Sequence, residues 1–194
     1  MAAFSLIELI FALGLAATLG AVAIPETLSA VDEARATGAA RYVAAQLQRT
    51  RMEAITRNAA TAMKVTSAGS DYTLTAYVDG NRNGVLSREI QSGVDRAVAA
   101  VERLGDRFPG VTFGTLPGLP PVDTSSTAPG SDPVRLGSSD LAVFSPIGTA
   151  TSGSLYILGR RNIQLVVRIY GETGKTRALR FNARTRQWLP LTGA

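Results

Sequence analysis

Apolar side chains fill positions Phe4 through Ile24 almost without interruption, and Glu8 is the one charged residue among them. At 1.5 Å per residue a helix of this length spans roughly 31 Å, close to the ~30 Å hydrocarbon thickness of a bilayer. The pattern therefore predicts a membrane-crossing helix over 4–24. A carboxylate deep in such a segment costs about 2.5–3.5 kcal/mol, so a cationic mate is expected for Glu8. A cleavable secretory signal fits poorly. The run lacks a charged leading region, exceeds the usual apolar length, and is followed by no small-x-small site.

Pro25 comes next, and a bend or break is expected there because proline removes a helix hydrogen bond and crowds the preceding turn. Helical character then resumes from Leu28 to about Asn58. Ala36, Ala40, Val43, Leu47 and Ala54 share one face, while Arg35, Arg41, Arg49 and Glu53 lie on the others and Arg51 intrudes near the apolar side. Residues 25–60 thus read as an amphipathic continuation whose apolar stripe needs a sheet to cover it.

After residue 60 the period changes to two. Thr61–Ser67, Tyr72–Asp79, Val85–Ile90, Val111–Phe113, Leu141–Phe144, Leu155–Leu158, Ile163–Tyr170 and Thr176–Phe181 are expected as short strands punctuated by Gly, Asn and Asp. Val94–Leu104 fits helix or strand. Residues 116–139 are too rich in Pro, Gly and Ser for regular structure and read as a mobile surface loop. The fold class that follows is α+β, with one long N-terminal helix packed on an antiparallel β-rich head over 61–194. Trp188, beside Leu189 and Leu191, is expected as a plug against the sheet.

Composition narrows the chemistry. The 194 residues include no Cys and no His, so disulfides, His-based triads and His-ligated metal sites are all out of reach. No pair of carboxylates stands out as an acid and base. The expectation is a protein without catalytic activity or cofactor.

The net charge of +5 is unevenly distributed. From Thr151 onward eight basic residues face a single acid, Glu172. Arg160, Arg161, Lys175, Arg177, Arg180, Arg184 and Arg186 are candidates for an anionic partner, nucleic acid included. A solvated strand face accounts for them equally well. In an uninterrupted strand Lys175 and Arg177 share one face, and Arg180, Arg184 and Arg186 share another.

Asp79-Gly80-Asn81-Arg82-Asn83-Gly84 opens like an EF-hand calcium loop, with oxygen ligands from Asp79, Asn81 and Asn83. The pattern then fails, because its final Glu position holds Ile90 and Glu89 comes one residue early. Strand-like flanks favour a metal-free hairpin turn with Asn83-Gly84 at positive φ.

Phe4-Ser5-Leu6-Ile7-Glu8-Leu9 opening an apolar helix, with Pro25 just beyond it, resembles the N-terminus of type IV pilins and type II secretion pseudopilins. That resemblance implies cleavage by a prepilin peptidase between Ala3 and Phe4, N-methylation of Phe4, and pairing of Glu8 with the amine of a neighbouring subunit during assembly. Residues 1–3 would be what remains of the leader. Two departures stand: Ala3 occupies the family's usual Gly position, and Met1-Ala2-Ala3 lacks the usual basic residues.

Three body segments add to this, Tyr77–Gly84, Leu141–Gly148 and Tyr170–Arg177. They are similar to the GspH/FimT family of minor pseudopilins. The family implies a pilin-like fold with two sheets and a single-pass anchor in the bacterial inner membrane, the head being periplasmic or extracellular. Its implied partners are other pilins or pseudopilins in a filament, the prepilin peptidase, and secreted cargo or DNA. The function expected is that of a minor subunit near the tip of a secretion pseudopilus or type IV pilus, initiating assembly or contacting cargo. The alternative is a DNA-binding minor pilin of a natural-transformation pilus, using the basic C-terminal region.

Overall fold

The structure, a computed structural model, describes residues 5–69 and 71–191. Ala3 and Phe4, the expected processing pair, lie outside the described residues. The first element, α1, is an α-helix of 52 residues, Leu6–Arg57. Ser5 caps it by accepting a hydrogen bond from the Ile7 amide at 3.3 Å. Asn58 closes it in the left-handed conformation (φ 49°), its N–H reaching the Ala54 and Ile55 carbonyls.

The break expected at Pro25 is absent: α1 runs through it. Proline removes one bond from the ladder, and in a long helix the Ala-rich turns on either side keep propagation favourable. Just beyond it, the Thr27 hydroxyl donates to the Ala23 carbonyl at 2.8 Å.

The rest of the head forms two antiparallel sheets. The strands are β1 Thr61–Ala68, β2 Asp71–Val78, β3 Arg96–Ala97, β4 Glu102–Arg103, β5 Thr112–Phe113, β6 Val134–Arg135, β7 Leu141–Phe144, β8 Gly153–Leu158, β9 Gln164–Tyr170, β10 Lys175–Asn182 and β11 Gln187–Pro190. Short helices α2 Ser87–Ser92 and α3 Leu104–Arg107, and a 3-10 turn at Arg160–Asn162, fill the connections. The first sheet runs β3-β2-β1-β7, with β4 on the same edge of β2 as β3. The second runs β11-β10-β9-β8-β5, and β6 also pairs with β8. The architecture is α+β, with one long helix and two antiparallel sheets.

The C-terminal half of α1 is the core's spine. Ala36, Ala39, Ala40, Val43, Leu47 and Ala54 are fully buried. They meet Met63, Val65 and Leu74 from the first sheet and Leu155, Ile157, Leu165, Val167 and Ile169 from the second. Alanine at the crossing lets the chain approach closely: a Cβ added to Gly159 would sit 2.8 Å from the Ala36 Cβ. A second cluster covers the outer face of the second sheet, where Leu119, Tyr156, Val166 and Leu179 pack with Trp188. Trp188 lies 5.2 Å from the Phe181 ring and donates its Nε1 hydrogen to the Pro120 carbonyl at 3.2 Å. It plugs the sheet, as its neighbours in sequence indicated.

Two local expectations are corrected and one left open is resolved. Val85–Ile90 is not a strand: β2 already pairs with β3 through Val78 and Arg96, so no ladder is open to it. Residues 87–90 wrap instead into α2, and Val85 ahead of it and Ile90 within it join Ala62 and Leu141 in one apolar cluster. Val94–Leu104 holds two two-residue strands, β3 and β4, with α3 beginning at its last residue, Leu104. The 116–139 segment, read as wholly irregular, contributes β6, buries Leu119, Val134 and Leu136, and is tied to the sheet by side chains from Gln164, Arg168, Arg186 and Trp188.

Candidate functional site

The two halves of α1 have opposite surroundings. From Leu6 to Leu28 the large apolar side chains are exposed, among them Leu6, Ile7, Ile10, Phe11, Leu13, Leu19 and Ile24. By length and composition this stretch is able to cross a membrane. Glu8 sits in its first turn, exposed, with its backbone N–H on the Ser5 carbonyl at 3.1 Å. Among the described side chains of this half, the large apolar ones stand clear of the head. Pro25 lies within the same exposed half.

The candidate basic residues do not gather on one face. Arg161, Arg180 and Arg184 converge on one cleft between the 3-10 turn and the β10–β11 hairpin, lined also by Gln164 and Asn182. Two of these cations are engaged by the helix. Arg161 Nε lies 3.3 Å from Asp32 Oδ2, and Arg180 pairs with Glu33. Arg186 donates to the Gly118 carbonyl at 2.8 Å, on the other side of the hairpin. Arg160 lies against Gly110.

Lys175 and Arg177 lie on the face of β10 that carries Leu179, whereas Arg180 lies on the helix-facing side with Ala178. Arg184 and Arg186 fall beyond the strand end at Asn182, so the shared face expected for them with Arg180 does not form. The Asn182 side chain turns the chain there, accepting from the Arg184 and Thr185 amides at 2.9 and 3.3 Å. The basic third is therefore a clamp between head and helix plus scattered exposed cations.

Asp32 and Glu33 were not singled out by sequence reasoning. Their signal is an adjacent acid pair where the apolar half of α1 gives way to the buried half, opposite a sheet rich in arginine. Arg168 was likewise missed as a site. Its guanidinium is buried and bonded to Asp123, Ser125 and, at 3.5 Å, Ser154. Burial opposes the Asp123 charge, but the hydrogen bonds from Arg168 and Ser125 outweigh it and hold the carboxyl below the usual range.

The Asp79 loop differs from a hairpin turn. Positive φ occurs at Arg82 (67°) and Gly84 (93°), not at Asn83. Asp79 accepts amides from Asn81 and Arg82 on Oδ1 and from Gly84 on Oδ2, at 2.7–3.0 Å. Asp95 closes the loop from outside, accepting from Gly80 and Leu86 at 3.0 and 2.9 Å. The following flank is helical, not extended. No family model, no curated protein and no solved structure matches the chain.

Proposed function

We propose that the protein is a minor pilin-like subunit that assembles, through the exposed half of α1, into a type II secretion pseudopilus or type IV pilus of the bacterial inner membrane. The observation that carries this reading is the division of one continuous helix. Its C-terminal half is consumed by the head's core, and its N-terminal half presents bare apolar surface whose 4–24 stretch holds a single carboxylate, Glu8, in the first turn.

A simple anchor gains nothing from that carboxylate. An assembling helix does, because a buried Glu is tolerable when a neighbour's N-terminal ammonium meets it. In this account the head stands outside the cytoplasm, with lipid around 4–24 before assembly and other subunits' helices around it afterwards. The prepilin peptidase acts between Ala3 and Phe4.

The DNA-uptake alternative finds less support. Arg161 and Arg180 are paired with Asp32 and Glu33, which lowers the positive potential of the cleft they share with Arg184.

Glu8→Ala separates insertion from assembly. Membrane fractionation is expected to recover the variant at parental levels, since removing the charge makes insertion cheaper. Incorporation into filaments is expected to fall sharply, because a neighbour's ammonium is left buried and unpaired. Normal incorporation of the variant would remove Glu8 from the mechanism.

A further inference from the structure

We infer that the tip of the β10–β11 hairpin, carrying Arg184 and Arg186, is a docking surface for anionic phospholipid headgroups, which rests on the membrane placement of residues 4–24 proposed above. Two contacts fix the direction of β10 along the helix. Near the strand's start Thr176 accepts from the Gln48 side chain at 3.0 Å, and further along Arg180 pairs with Glu33. The later strand residue meets the earlier helix residue. β10 therefore descends α1 toward its apolar half.

Dimensions decide how far it descends. Glu33 follows Ile24 by nine residues, about 14 Å of helix. From Arg180 the strand continues two residues to Asn182, about 7 Å in extended geometry, before the chain turns. With 4–24 filling the hydrocarbon core, the hairpin tip comes as close as about 7 Å to the core's edge. The headgroup region is itself about 5–7 Å deep on each side of that core. Residues 183–187 are all exposed, so the tip is open to it.

The charge there suits phosphate. The Arg184 side chain is exposed and has no ion pair among the described residues. Arg186 donates to the neutral Gly118 carbonyl, which leaves its charge uncompensated. Behind them Arg161 and Arg180 are paired with Asp32 and Glu33. Further down α1, on the face of Glu33, comes Glu26, seven residues earlier, which offsets one charge at most. Two arginines bind a phosphate-bearing partner weakly from solution. On a tethered head they face a surface held within a Debye length, about 8 Å at physiological salt, so a weak contact suffices. Each basic residue near an anionic surface shifts the docked population by about fivefold, and the two together by about 25-fold. Lipid is favoured over nucleic acid because DNA must be recruited from solution, whereas the lipid is already in place.

The test uses the full chain, which has no cysteine of its own, with a fluorophore on Thr185→Cys or Glu172→Cys. Glu172 serves as control because its turn lies at the far end of β10, where Gln48 reaches the Gly174 carbonyl. The chain is reconstituted into vesicles containing a phospholipid with a spin-label quencher on its headgroup. In vesicles of phosphatidylglycerol and phosphatidylcholine, quenching at Thr185 is expected and none at Glu172. The Thr185 signal is expected to be lost in phosphatidylcholine alone and at about 1 M salt. Arg184→Gln with Arg186→Gln is expected to lower the docked population by about 25-fold. Extraction of the chain by alkaline carbonate would overturn the membrane placement and the docking with it. Stable integration with Thr185 unquenched, or quenching indifferent to lipid charge, would overturn the docking alone. Release of Thr185 by a DNA oligonucleotide at equal phosphate concentration would assign the arginines to nucleic acid instead. The parent's dependence on lipid charge and salt decides the matter even if the double variant fails to fold.

Discussion

Arg168 on β9 and Asp123 in the 116–139 segment form a two-point ion pair, Nε to Oδ2 at 2.9 Å and Nη2 to Oδ1 at 3.4 Å. The Arg168 side chain is 6% exposed and that of Asp123 is 25% exposed. One end of the pair is thus buried in the sheet while the other fastens a Pro/Gly/Ser-rich segment across it.

Asp123→Ala is expected to destabilise the head by about 3 kcal/mol, the low end for leaving one member of a buried pair uncompensated. Denaturant unfolding measures this. A loss below about 1 kcal/mol would mean that Ser125 and Ser154 satisfy the guanidinium alone.

The same pair sets an acid limb. The Asp123 carboxyl titrates lower in the folded state than in the unfolded chain, where the value is about 3.9. Its contribution is therefore present above about pH 4 and is lost as pH falls through the folded value. Stability measured between neutral and strongly acidic pH is expected to fall less steeply in Asp123→Asn, which carries no titrating group. An unchanged slope would assign acid unfolding to other carboxylates.

The two halves of α1 predict opposite mutational behaviour. Leu47→Ala empties a fully buried position and is expected to cost about 2–5 kcal/mol. Leu13→Ala, at an exposed position, is expected to change head stability by less than about 0.5 kcal/mol. Equal effects in thermal unfolding would contradict the division of the helix.

The basic cleft gives a prediction about nucleic acid. Asp32→Asn with Glu33→Gln unpairs Arg161 and Arg180 and adds two net positive charges. The half-exposed Arg180–Glu33 pair contributes little to stability, about 0.2–1 kcal/mol, and Asn at the buried position 32 keeps the shape of Asp32, so the double variant is expected to fold. Fluorescence anisotropy at about 0.15 M ionic strength is expected to find little DNA binding by the parent and a salt-sensitive gain in the variant. Strong parental binding that is lost in Arg177→Ala and Arg184→Ala would favour the DNA-uptake alternative.

Much of this fold was legible because burial imposes a period. Ala36, Ala40, Val43, Leu47 and Ala54 announced their common face, and all are fully buried. The longer strands were equally plain, since each buries one or both faces. The errors fall where a tertiary partner decides. Val85–Ile90 has strand-like residues, but the edge of β2 was already taken by Arg96 and Ala97. Val134–Arg135 pairs with Leu155 and Ser154 from within a stretch whose Pro and Gly content hides it, and β11 ends on a proline.

At the candidate site, the Glu8-bearing apolar stretch could be read directly from sequence. The cation pairs could not, because Arg161 meets Asp32 and Arg180 meets Glu33 only once the second sheet lies on α1. Glu89 was discounted for its spacing, and only the turn of α2 brings it onto Asn83.

Contact mapping in membranes tests most directly whether the exposed half of α1 is an assembly surface governed by Glu8. The chain has no cysteine, so Leu13→Cys supplies a single thiol for a photo-activated crosslinker. Adducts with neighbouring pilin-like subunits are expected in cells that build filaments, strongly reduced when Glu8→Ala is added although the protein remains in the membrane. Adducts of equal yield with and without Glu8, or labelling of lipid alone in filament-forming cells, would contradict it.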